Sequence, residues 1–77
     1  MSKKQSIERV RWVDSCSPRG WTQKEALKGY VPVQIESIGW VVSEDANSLT
    51  LAGHASTTEY DGIMCIPKAV ITSRKKL

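Results

Sequence analysis

The chain has few of the side chains that bind metals or carry out catalysis. It contains no phenylalanine, one histidine and two cysteines, and Cys16 and Cys65 form no CxxC pair. Tetrahedral zinc takes about four ligands, usually supplied in close pairs, so we expect no metal site. His54 stands in no nucleophile, phosphate-loop or metal motif. We therefore expect a non-enzymatic protein without catalytic residues and without a cofactor.

Long hydrophobic runs are also lacking. No run approaches the roughly 18 apolar residues that span a bilayer, and the first residues contain no apolar stretch of signal-peptide length. We therefore expect an intracellular protein with no membrane partner and with reduced thiols. Cys65, within the apolar residues 63–66, is then expected to be a small buried hydrophobe. The composition, 40% hydrophobic and 25% charged, is typical of a globular protein.

The net charge of +3 is unevenly distributed along the 77 residues. Five of the 11 basic residues lie near the ends of the chain: Lys3, Lys4, Arg74, Lys75 and Lys76. Residues 5–73 keep six basic and eight acidic residues, so this span carries −2. The sequence thus predicts a disordered tail over residues 1–6, one small domain over residues 7–73 and a basic tail over residues 74–77. An acidic domain argues against a dedicated nucleic-acid face.

The first half of the domain shows one strand and one helix. Residues 7–14 alternate as a strand, with Val10 and Trp12 on one face. Residues 22–28 have the signals of a short helix, in which Thr22 and Glu25 form a capping box. A helix this short must pack on something, and Trp21 and Leu27 are the expected anchors.

The second half shows several short strands. Residues 30–43 form a long strand candidate in which Gly39 indicates a bulge or a sharp bend, because the apolar set changes register there. A turn follows, in which Asn47 is able to take positive φ, and Leu49 and Leu51 then share the core face of a return strand. A polar loop leads to a short strand, a tight 3₁₀ turn at residues 67–69 and a last strand from Val70.

These elements predict a mainly β fold. Short strands bury their apolar faces best by curling into a closed or partly closed barrel. We expect a small five-stranded SH3-like or Sm-like barrel with one short helix inserted after the first strand. An OB-like barrel is the alternative, although its helix usually lies between the third and fourth strands.

Four segments carry a resemblance to a known group of proteins. They are Trp12-Val13-Asp14-Ser15, Gly20-Trp21, Ser37-Ile38-Gly39-Trp40 and Ile66-Pro67-Lys68-Ala69-Val70-Ile71. This layout resembles small uncharacterised proteins of tailed bacteriophages and prophages, with the pattern W-x-D-S, G-W, S-x-G and I-P-K-x-x-I over residues 10–72. The resemblance implies a small protein in the cytoplasm of a bacterial host and brings no activity with it. The last segment also resembles the turn before the final strand of SH3 barrels, but the ALYDY-type strand of proline-rich-peptide binders is missing.

Six residues are candidates for binding. Asp14, Ser15 and Arg19 lie just before the predicted helix, whose N-terminus would help to hold a small anion. The aromatic candidates for a partner surface are Trp21, Trp40 and Tyr60, because rigid rings give a large contact area at a low entropy cost.

The sequence is compatible with several kinds of binding. The leading hypothesis is a non-enzymatic phage-encoded module that acts on a host protein or sequesters a small anionic, nucleotide-like ligand, as a counter-defence or host-takeover factor. The first alternative is a nucleic-acid-binding small barrel, and the second is a minor virion component. We also expect a homo-oligomer, because a domain of 77 residues gains core by pairing with a second copy.

Overall fold

The chain folds mainly into β-strands in the computed structural model, which describes residues 5–17 and 20–77. In chain order the elements are β1 (Ile7–Asp14), a first 3₁₀ helix (Lys24–Gly29), β2 (Val33–Glu44), β3 (Ser48–Ala52), β4 (His54–Ala55), β5 (Tyr60–Asp61), β6 (Met64–Pro67), a second 3₁₀ helix (Lys68–Val70) and β7 (Ile71–Lys76). Five strands form one antiparallel sheet in the order β6-β3-β2-β1-β7, and β4 pairs with β5. The predicted mainly β class is confirmed. Among the described residues no strand pairing joins β6 to β7, so the sheet is not closed by hydrogen bonds.

Strand β1 has the predicted bounds and lies near the middle of the sheet. Its inner face carries Glu8, Val10 and Trp12, in keeping with the period of two of a strand. Val10 is fully buried, and the Trp12 indole N–H donates a hydrogen bond of 3.1 Å to the Ser37 hydroxyl. The alternation of side chains along β1 thus directs Val10 and Trp12 toward the core.

Strand β2 has apolar side chains on both faces. Ile35 and Val41 lie on the inner face, while Ile38 and Trp40 lie on the outer face. The predicted bulge at Gly39 is wrong, because the pairing with β1 continues through it without interruption. A register shift occurs later, between positions 41 and 43 in the pairing with β3.

The core is small and sits between β1, β3 and β6. Its buried apolar residues are Val10, Leu49, Leu51, Ala52 and Ile66. The predicted shared face of Leu49 and Leu51 is confirmed. Cys65 is exposed, which overturns its predicted burial: its neighbour Ile66 points to the core, and successive strand residues point to opposite faces.

The turn between β2 and β3 is held by a side chain. The Asp45 carboxylate accepts hydrogen bonds of 2.8 Å from the backbone N–H groups of both Asn47 and Ser48. These bonds favour the charged form and lower the pKa of Asp45. Asn47 does not use its capacity for positive φ, since every positive φ among the described residues belongs to a glycine.

The first helix differs from the prediction in type, start and packing. It is a 3₁₀ helix that begins at Lys24, and its N-cap residue Gln23 makes no side-chain capping bond. None of its residues is buried. Trp21 and Leu27 are both exposed, so the expectation that they anchor the helix is wrong.

The C-terminal strand reaches further than the sequence indicates. β7 runs to Lys76, so three residues that the sequence assigns to a basic tail belong to the sheet. The Leu77 N–H donates a hydrogen bond of 2.8 Å to the Ile7 carbonyl. Near the other end of the chain, the Ser6 carbonyl accepts one of 2.8 Å from the Val41 N–H, while residues 1–4 lie outside the described residues.

No helix in the described part of the chain has both the length and the apolar character needed to cross a membrane.

Candidate functional site

The structure places the predicted binding residues at two ends of the sheet. Asp14 pairs with Val33 at one end of β1, and Ile7 pairs with Trp40 at the other. Seven residue steps of about 3.3 Å separate these ends by about 23 Å. The Gln5 side-chain amide donates to the Tyr60 hydroxyl, which places Tyr60 on the Trp40 side. Asp14 therefore lies far from Trp40 and Tyr60, and these described candidates do not form one site.

The predicted anion site does not assemble among the described residues. The Asp14 carboxylate accepts a hydrogen bond of 2.8 Å from the Ser15 N–H, which is a local turn contact. The helix that was expected to point its N-terminus here is a six-residue 3₁₀ helix, and Lys24 and Glu25 at its start have opposite charges. Arg19, the expected anion clamp, lies outside the described residues.

An exposed apolar segment, which we call the arm, connects β1 to β2. The arm consists of residues 20–32 and contains the first 3₁₀ helix. Its large hydrophobic side chains are all exposed: Trp21, Leu27, Tyr30 and Val31. Trp21 is the extreme case, with a relative exposure of 105%. Sequence reasoning selected Trp21 as a contact residue but missed the rest of the arm.

The arm is exposed because it extends past the paired ends of β1 and β2. Backbone hydrogen bonds within it are local, as from Ala26 N–H to the Gln23 carbonyl at 3.0 Å and from Tyr30 N–H to the Leu27 carbonyl at 3.2 Å. Burying one large apolar side chain contributes about 1.5–3 kcal/mol. Trp21 gains none of this within the chain, and Leu27 and Val31 gain only part of it. Its sequence is therefore not explained by folding alone.

An ion cluster covers one side of the core. The Arg74 guanidinium binds both Glu8 oxygens at 2.8 and 2.9 Å, and it binds the Glu44 carboxylate at 2.8 Å. Lys68 lies 2.7 Å from the same Glu44 carboxylate. Hydrogen bonds from Arg74 and then Lys68 lower the pKa of Glu44 to about 2, and the two carboxylates raise the pKa of Arg74. The cluster joins β1, β2, β7 and the second 3₁₀ helix, so its role is structural.

The β4–β5 hairpin surrounds a shallow cavity that is lined by His54, Ser56 and Asp61 among others. His54 pairs with Asp61 across the two strands. The Ser56 hydroxyl accepts the Thr58 and Glu59 N–H groups at 3.2 and 2.9 Å, so it is used to form the turn. Across residues 5–17 and 20–77, no group of three His, Cys, Asp or Glu side chains could hold a metal ion.

Trp40 is half-buried on the outer face of the sheet. With Ile7, Ile38, Gly39 and Gly53 it lines a shallow cavity of about 170 Å³. Sequence reasoning selected Trp40 as a contact residue and recognised the change of register in β2. It did not place Ile7 beside Trp40, because that neighbourhood depends on the pairing of β1 with β2.

The chain has no match among protein-family models, curated proteins or solved structures. Its function must therefore be inferred from the arm, the ion cluster and the outer face of the sheet.

Proposed function

We propose that the chain is a non-enzymatic, phage- or prophage-encoded module that binds a host protein through the arm. The resemblance to small phage proteins supports the setting, a bacterial cell in which the protein acts in host takeover or counter-defence. The exposed arm supports the mode of action, which is stoichiometric binding.

The observation that carries the proposal is the complete exposure of Trp21 within a segment of exposed apolar residues. Tryptophan and tyrosine are the side chains that most often dominate binding energy at protein interfaces. Trp21 and Tyr30 lie on the same short arm as Val31, which is 69% exposed. An apolar surface of this kind on a protein marks a partner site.

We favour a partner protein over a small anionic ligand. The arm presents apolar area, and the cavity beside Trp21 is lined by both Lys24 and Glu25. A small anion would meet one carboxylate for each ammonium there. A protein surface, by contrast, would bury the rings and leave both charges at the polar rim.

We further propose that the open sheet curls as an SH3-like barrel. Support comes from the strand order, in which the last strand returns to pair with β1, and from the 3₁₀ helix that directly precedes β7. The ion cluster adds support, because Arg74 on β7 reaches Glu44 at the far end of β2. Nuclear Overhauser contacts between the side chains of β6 and β7 would establish the barrel, and a flat, extended sheet would disprove it.

Affinity capture with matched variants tests the binding role. The wild-type chain, a Trp21→Ser/Val31→Ser arm variant and an Ile63→Ser/Leu77→Ser control are used as baits in an extract of the host. Ile63 and Leu77 are exposed apolar residues outside the arm, at 53% and 61%. We expect the same protein to be captured by the wild type and the control and lost from the arm variant. Equal capture by all three baits would disprove the role of the arm.

Self-association through the arm is a second candidate function. The small buried core favours it, because a second copy covering Trp21 and Val31 would add apolar burial that one chain does not achieve. A partner protein would then displace the second copy.

A further inference from the structure

The two faces of the sheet differ in charge. On the inner face, Glu8 and Glu44 are held by Arg74. The outer face of β1, β2 and β7 carries Arg9, Arg11 and Lys75, and Glu36 is its one carboxylate. The outer face of these three strands therefore carries two more cations than carboxylates.

The inclusion of β7 also changes the charge of the folded part. Arg74, Lys75 and Lys76 lie in the sheet, and with them the formal charge of residues 5–76 is +1, compared with −2 for residues 5–73. The acidic character that argued against a nucleic-acid face depended on placing these residues in a tail. That objection no longer holds.

Arg9 and Lys75 form a pair of like charges. They lie directly opposite each other on adjacent antiparallel strands, an arrangement that repels. All eight Asp and Glu residues of the chain are among the described residues, and none of them forms an ion pair with Arg9 or Lys75. Arg11, by contrast, is neutralised by Glu36 at 2.9 Å. A bound phosphate would relieve the repulsion and receive charge-assisted hydrogen bonds from Arg9.

Apolar surface lies next to this cationic pair. Ile38 is directly opposite Arg9 on the other side and is 59% exposed. Beside it lies the shallow cavity of about 170 Å³ that Ile7 and Trp40 line. A nucleotide has parts that suit both features of this surface. Its base could stack in the shallow apolar cavity beside the indole, and its phosphate could be neutralised by the two neighbouring cations.

We propose that the outer face, defined by Ile7, Arg9, Ile38, Trp40 and Lys75, binds single-stranded nucleic acid. A single strand is favoured over a duplex because only an unstacked base can enter the cavity beside Trp40. Arg9 and Lys75 hold the backbone phosphate, and the apolar surface receives the base. This activity uses a surface other than the arm and does not depend on the proposed protein partner.

Fluorescence anisotropy with labelled oligothymidine and oligouridine tests the proposal. The variant is Arg9→Gln/Lys75→Gln, and the control is Lys24→Gln/Lys28→Gln, which removes two cations from the arm. We expect the outer-face variant to bind at least tenfold more weakly than the control. The salt dependence should become weaker as well. Each phosphate contact to a single strand contributes a slope of about 0.7, so loss of the phosphate held by Arg9 and Lys75 should reduce the slope by about 0.7.

Two further measurements distinguish base stacking on Trp40 from attraction between charges alone. Oligothymidine should quench tryptophan fluorescence in the wild type, and Trp40→Leu, with its fold checked by circular dichroism, should remove that quenching. A duplex of the same sequence should bind more weakly than the single strand. The proposal is overturned if neither single strand binds at low salt, or if the control variant loses as much affinity. It is also overturned if polyglutamate binds as tightly as the oligonucleotides, which would assign the face to an acidic protein.

Discussion

At the scale of single residues, Gly39 shows how closely β2 and β3 approach. An alanine Cβ at this position would lie 2.7 Å from the Ala52 carbonyl oxygen, which belongs to the backbone and cannot move aside cheaply. We predict that Gly39→Ala destabilises the fold by about 1–3 kcal/mol in urea denaturation. Gly29→Ala is the control, because an added Cβ there meets nothing within 4 Å. Equal stability of the two variants would contradict this close approach.

Trp21 is expected to contribute to binding and not to stability. Its side chain is fully exposed, so we predict that Trp21→Ser changes the free energy of unfolding by less than about 0.5 kcal/mol. Leu49→Ala, which removes a fully buried side chain, should cost about 2–5 kcal/mol in the same urea titration. A large loss of stability in Trp21→Ser would mean that the ring packs on the domain.

The burial of a residue could be predicted from the sequence where it belongs to a regular alternation of apolar and polar residues. It could not be predicted for isolated residues. Leu49 and Leu51 were assigned correctly because a strand period of two decides their face. Trp21 was selected as a contact residue, but its full exposure depends on where the arm lies, which no local pattern encodes. Cys65 was misplaced because a run of four apolar residues does not show which of them faces the core.

At the scale of elements, the ion cluster makes the joint between β2 and β7 sensitive to pH. The pKa of Glu44 is lowered from 4.5 to about 2 by Arg74 and Lys68. A lowered carboxyl pKa contributes stability that is fully present above pH 4.5 and is lost as the pH falls toward 2. We predict that the urea midpoint of the wild type falls across this window and that Glu44→Gln shows a flatter profile.

Glu59→Gln is the control for this pH dependence. Glu59 is an exposed carboxylate in the β4–β5 turn and lies outside the ion cluster. Its removal should leave the steep wild-type profile in place. If the Glu44 and Glu59 variants have the same profile, the cluster does not stabilise the fold through Glu44.

The elements themselves were predicted unevenly, for physical reasons. The bounds of β1 and the short 3₁₀ helix before β7 followed from alternation and from Pro67. The arm helix was predicted as α-helical from capping signals, but a segment without a packing surface has nothing to stabilise a longer helix. The sequence predicts too early an end for β7. Its Lys and Arg residues have the composition of a basic tail, and only the pairing with β1 shows that they belong to the strand.

At the scale of the whole molecule, the chain is elongated. Its extents are 58 × 22 × 21 Å, and its radius of gyration is 16.1 Å. A compact domain of this length would have a radius of about 11–12 Å. The binding surfaces we propose, the arm and the outer face, therefore lie on a molecule with more accessible surface than a compact barrel of the same length.

Self-association is expected to be weak and to depend on the arm. We predict that light scattering gives a mass that rises from 8.6 kDa toward twice that value as concentration increases. The Trp21→Ser/Val31→Ser variant should remain at the monomer mass. A wild-type chain that stays monomeric over the same concentrations would rule out the homo-oligomer.

The central claim, that the arm contacts a partner protein, is tested most directly by site-specific photocrosslinking. A photoreactive phenylalanine analogue replaces Trp21 in one protein and Thr57, an exposed residue of the β4–β5 turn, in another. After irradiation in an extract of the host, we predict one dominant adduct at position 21, heavier than a dimer of the chain, and none at position 57. Adducts of equal yield at both positions, or no adduct at position 21, would contradict the account.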